Sequence, residues 1–138
     1  MAGLDLIDTF ASIPLAYRWA ATLLFVAVLA ALSTTAGTGR RSGDVFGWLY
    51  DVTPAPAQKT FHVVSYAILA LLLMWALSTI ASFGQRAVLV AALSLGLGIA
   101  LEWYQTRVPG RFGTVSGVLL DALGVALGIG AAAAVLMT

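Results

Sequence analysis

Between Lys59 and Arg86 the chain contains no Asp, Glu, Lys or Arg. The stretch "FHVVSYAILALLLMWALSTIASF", residues 61–83, is long enough to cross a hydrocarbon layer. Such a layer is roughly 30 Å thick and takes about 20 helical residues. Three more runs share this character, at about 15–32, 87–105 and 115–137. Backbone N–H and C=O groups in lipid must be satisfied within their own segment, so each run is predicted to be a helix. Composition agrees: 61% of the 138 residues are hydrophobic and 9% are charged, against about 25% charged in a soluble domain. The expected fold is all-α, a four-transmembrane-helix bundle forming a single transmembrane domain over 1–138.

The connections differ in length. "GQR" alone separates the second and third runs, which predicts a tight antiparallel hairpin. A long loop, "TTAGTGRRSGDVFGWLYDVTPAPAQK", joins helices 1 and 2, and its glycines and prolines argue against helix. Phe46, Trp48, Leu49 and Tyr50 form an aromatic patch there, read as a headgroup-belt anchor or, alternatively, as a re-entrant lid. In the fourth run Gly124, Gly128 and Ala132 lie four apart, a spacing that allows close helix contact. Gly96 and Ala100 repeat it in the third and carry the same expectation.

Several function classes drop out. A net charge of +1 offers no basic field for nucleic acid. The absence of cysteine removes disulfides, thiolate metal sites and a Cys nucleophile. With one histidine, a metal site would be mostly carboxylate; Glu102, His62 and Asp121 could supply one, but no ligand spacing specifies it, and no metal-binding residue is assigned. The N-terminal stretch carries Asp5 and Asp8 and no basic region, so no cleavable signal peptide is expected.

A charged residue at the centre of a membrane helix costs roughly 2.5–3.5 kcal/mol. Such residues face a bundle interior or a wet cavity, so their positions carry information. Lys59, His62 and Tyr66 stand three and four apart, on one helical face. Glu102 and Gln105 share a face at the end of the third run, Arg107 and Arg111 follow in "TRVPGR", and Asp121 sits in the fourth. Antiparallel hairpins bring the start of helix 2, the end of helix 3 and the start of helix 4 to one membrane face. The residues suit distinct tasks there. His62 and Glu102 suit catalytic acid–base roles. Lys59 and Arg111 suit an anion, Tyr66 and Gln105 suit hydrogen bonds to a ligand, and Asp121 would hold Arg111 or His62. Arg107 reads as a cation reaching the headgroups. A buried structural network of the same residues is the competing reading.

The order Lys59-x-x-His62-x-x-x-Tyr66, Glu102-x-x-Gln105, Pro109-Gly110-Arg111 and Gly124-x-x-x-Gly128 resembles the VanZ-like family, small bacterial membrane proteins named for a teicoplanin-resistance factor. The resemblance covers 59–128. It departs where the family has an Asp and then an Asn: without gaps these fall on Gly117 and Asp121, the register that keeps Gly124 and Gly128 in place, and with a short insertion after Arg111 they fall on Asp121 and Val125. It implies a membrane protein of the cell envelope, with antibiotic resistance as the namesake's role; the Ala/Gly/Leu/Val-heavy composition fits the bacterial inner membrane, and the polar residues suit membrane lipids, a lipid-linked cell-wall precursor or a glycopeptide as partners. It supplies no cofactor and no settled reaction. Arg40, Arg41, Lys59, Arg107 and Arg111 near the polar end outnumber Arg18 and Arg86 at the other, which puts the polar end in the cytoplasm by the positive-inside rule. A cell-wall target favours the opposite side.

Overall fold

The computed structural model describes residues 8–35, 48, 52–79 and 82–137. Its four long helices are α1 (Leu15–Thr34), α2 (Ala55–Ala76), α3 (Phe83–Gln105) and α4 (Val115–Met137). All four are long and apolar enough to cross a membrane, and no strand occurs among the described residues. The chain is an all-α, multi-pass membrane protein. Most of the connection between α1 and α2 lies outside the described residues, and with it Phe46, Leu49, Tyr50, Arg40 and Arg41. Trp48 is exposed.

Two helix starts differ from the hydropathy reading, both for local reasons. α2 begins at Ala55 instead of Phe61, because extended Pro54 caps it and Pro56 lies in its first turn. A proline N–H is not needed there. The "PAPAQK" segment assigned to the loop is therefore largely helix, and it carries Lys59 on the same helix as His62. α3 begins at Phe83 instead of Ala87. The Gln85 N–H donates to the Ser82 hydroxyl (3.5 Å), and the Ser82 N–H donates to Gln85 Oε1 (3.2 Å). This is a capping box. "GQR" is thus the first turn of α3, and the reversal precedes it.

Close packing centres on α2 against α4. A Cβ on Gly124 would lie 2.3 Å from the Val63 carbonyl oxygen, and one on Gly128 would lie 2.5 Å from that of Ala67. Only glycine lets the backbones approach this far. Ala132 continues the seam against a core of Tyr66, Leu69, Leu73, Met74 and Val125. The expectation for Gly96 and Ala100 is corrected: both are exposed, and a Cβ on Gly96 would meet nothing within 4 Å. The buried stripe of α3 is Val90, Ser94, Gly98, Glu102 and Gln105. Two residues away on a helix is the opposite side.

Helix α1 is pinned at both ends by an arginine. At its start Arg18 donates to the carbonyls of Ile13 (2.8 Å) and Ala11 (2.6 Å) and to the Ser78 hydroxyl (2.6 Å). Its guanidinium lies 5.7 Å from the Trp75 ring centroid. At its end, Arg111 donates to the carbonyls of Thr35 (2.9 Å) and Leu32 (2.7 Å). The last carbonyls of a helix have no partner within it, and in an apolar surrounding each unmet one is costly. Arg111 therefore ties the end of α1 to the α3–α4 turn. That turn is set by Pro109–Gly110, with Gly110 at φ 76° and the Arg111 N–H donating to Val108 O at 3.1 Å. A non-glycine residue would be strained at such a φ.

Candidate functional site

The start of α2, the end of α3, the α3–α4 turn and the start of α4 enclose a cavity of about 340 Å³, with the end of α1 as a further wall. His62, half-buried on α2, reaches across to α4: its Nδ1 stands 2.7 Å from Asp121 Oδ1. A carboxylate oxygen accepts, so Nδ1 carries the donated proton and Nε2 is left for a second partner. That second neighbour is Glu102 Oε1, at 3.9 Å. The distance is too long for a hydrogen bond.

Both carboxylates are withdrawn from solvent, Asp121 at 1% exposure and Glu102 at 6%. One oxygen of Glu102 is spent on structure, since Oε2 accepts the Thr114 N–H at 2.6 Å, just before α4. Its other oxygen remains directed to the cluster. One ligand atom from each of His62, Glu102 and Asp121 can be chosen so that all lie within 4.8 Å of one another. Among the described residues, these three could hold a metal ion.

Two glycines make room for the acids, reciprocally. Gly98 on α3 lies beneath Asp121: a Cβ there would stand 2.8 Å from Oδ2 and 3.3 Å from the Tyr66 hydroxyl. Gly117 on α4 lies beneath Glu102, where a Cβ would fall 2.0 Å from Oε1. Each carboxylate therefore occupies the volume that a side chain on the facing helix would fill.

The remaining predicted residues distribute as follows. Tyr66 and Gln105 are buried and line the cavity. Lys59 is exposed and lines it at the outer edge. Arg111 also lines it, while two of its donors serve the end of α1. Asp121 pairs with His62, which settles which of its two suggested partners it holds. Arg107 stays outside: its guanidinium stacks 3.6 Å over the ring of Trp103, one turn back on α3.

Sequence reasoning missed Gly98, Thr114 and the α1 wall formed by Leu29, Leu32 and Ser33, and it marked Gly117 only as the place of the family's Asp. A signal existed for the glycines, since each precedes a buried acid by four residues, Gly98 before Glu102 and Gly117 before Asp121. Nothing marked the α1 residues, which are ordinary members of a membrane helix. No family model, curated protein or solved structure matches the chain.

Proposed function

We propose that the chain is a VanZ-like protein of the bacterial inner membrane whose cavity binds the anionic headgroup of a lipid or lipid-linked molecule. One observation carries this: a histidine between two buried carboxylates lies in a cavity that also has cationic side chains, Lys59 and Arg111, in its wall. The cations suit the ligand's negative charge. Tyr66 and Gln105 offer it hydrogen bonds. A cavity of about 340 Å³ is within the range of small-ligand sites, roughly 300–1,000 Å³.

In the stronger form of the reading the headgroup is also transformed. Asp121 orients His62, whose other nitrogen then faces the ligand as a general base or acid, with Glu102 as its counterpart. Glycopeptide resistance would follow from altering or shielding an envelope lipid. The second reading, a non-catalytic network, draws on the structural contacts of Glu102 with Thr114 and of Arg111 with α1.

Native mass spectrometry of the purified protein with phosphatidylglycerol or phosphatidylcholine tests the binding. Preferential retention of the anionic lipid, reduced in Lys59→Ala, supports the headgroup site. Equal retention of both lipids sinks it. For the stronger form, His62→Gln and Glu102→Gln should leave the fold intact and abolish any change in the host's lipid extract. A host whose teicoplanin tolerance is unchanged by expression removes the resistance role.

A further inference from the structure

We infer that His62, Glu102 and Asp121 form a binding site for a divalent transition-metal ion, with Zn²⁺ as the fitting probe. The argument starts from the distances. Nδ1 of His62 is committed to Asp121 at 2.7 Å, so its lone pair for coordination is on Nε2. Nε2 stands 3.9 Å from Glu102 Oε1. With the ring neutral, the Nε2 lone pair faces the Glu102 oxygen across a gap that a cation can enter; with the ring charged, the same contact is an ion pair. Zinc bonds imidazole nitrogen and carboxylate oxygen at roughly 2.0–2.2 Å in tetrahedral geometry, so binding draws Nε2 and Oε1 together by about half an ångström from their 3.9 Å separation.

Glu102 Oε1 supplies the second, independent observation. Its side chain is 7% exposed, and that oxygen has no hydrogen-bond donor among the described residues. Its fellow oxygen is anchored by the Thr114 N–H, so the carboxylate is held in place while one lone-pair site stays open. Gly117 has no side chain to fill that space. The paired carboxylates attract a cation to the space between them.

The roles within the site differ. Nε2 of His62 and Oε1 of Glu102 are the inner ligands. Asp121 fixes the ring through Nδ1 and brings its negative charge close, the arrangement in which an outer carboxylate orients a metal-bound histidine. The positions left open face the cavity, where water or an oxygen of the bound anion completes the shell. Imidazole with carboxylate selects zinc-like ions over magnesium. The inference deepens the headgroup reading in that last step, since the ion gives an anionic oxygen a direct bond. Metal binding itself rests only on the three side chains.

The test uses the full chain in dodecylmaltoside with its purification tag removed and its metals stripped by a chelator. Titration calorimetry with Zn²⁺ alone is expected to show one ion per chain, with excess Mg²⁺ failing to displace it. Asp121→Asn should weaken binding by about 10- to 100-fold, the usual effect of losing an outer carboxylate, and Glu102→Gln by more. Zinc X-ray absorption of the wild type should show one imidazole among oxygen ligands, a readout that stands even where a variant does not fold. Folded wild type that takes up no Zn²⁺, a shell without imidazole, or Glu102→Gln binding as tightly as wild type overturns the proposal. The lipid measurement is made separately. Metal-free protein that still prefers phosphatidylglycerol overturns the ion's part in lipid binding and leaves the headgroup site standing. Zinc-loaded protein with no lipid preference does the reverse.

Discussion

The bundle buries polar groups at both ends, to a similar depth and to different purpose. Arg18 is 7% exposed and Glu102 is 6% exposed, so burial alone does not separate them. Arg18 donates to two carbonyls and one hydroxyl that belong to its own end of the bundle, and it lies over Trp75. Those donors are spent on holding the helices together. At the other end His62 and Glu102 approach one another without bonding, beside a cavity. What distinguishes a site from a clasp is the bonding capacity left over after the fold has taken its share.

That contrast can be broken by substitution. The largest loss of stability is expected from Arg18→Ala, about 3–4 kcal/mol, since several buried acceptors lose charged donors worth roughly 1.5–3 kcal/mol each and part is recovered by relaxation. Unfolding in mixed detergent and SDS micelles measures it, and lipid binding by the surviving folded fraction should be unchanged. A binding defect in folded Arg18→Ala protein would mean that the two ends are coupled.

Arg111→Ala comes next, at about 2 kcal/mol, because the Leu32 and Thr35 carbonyls lose their donor. Its unfolding midpoint should fall while Arg111→Lys recovers only part, since an ammonium lacks the planar fork. Gly117→Ala is expected to cost roughly 1–3 kcal/mol by overpacking against Glu102, and to reduce binding of the anionic lipid in protein that remains folded. Full binding in that variant would show that Glu102 is free to move. Smallest is Gly96→Ala, with a change between zero and a gain of about 1 kcal/mol from helix propensity, because nothing lies within 4 Å of the added methyl. A clear loss there would expose a contact with a second molecule.

The legibility of this molecule in its sequence followed the cost of what was placed where. Four spans and a polar end were readable because charges in apolar runs are rare and expensive, so His62, Glu102 and Asp121 stood out individually. Their convergence followed from antiparallel topology. The helix starts at Ala55 and Phe83 were not read, since hydropathy measures transfer into lipid and is blind to caps. Ser82-x-x-Gln85 and Pro54-x-Pro56 were the signals that hydropathy overlooked. Small residues carried the least information. Gly96 and Gly98 are the same letter two positions apart, yet one faces outward and the other lies against Asp121. Phase relative to the buried stripe decides between them, and that phase was first apparent from the packing.

The reciprocal glycines bear on how such a site can change through descent. Position 117 and the acid at 102 compete for one small volume, so a side chain can enter at 117 only where the Glu102 carboxylate gives way. An aspartate arriving at 117 becomes tolerable once that carboxylate has swung aside or shrunk, and in the second case the negative charge passes from one helix to its neighbour while staying in nearly the same place. The double exchange Gly117→Asp with Glu102→Gly would recreate that passage in the laboratory, with Gly117→Asp alone expected to fold less stably than the pair.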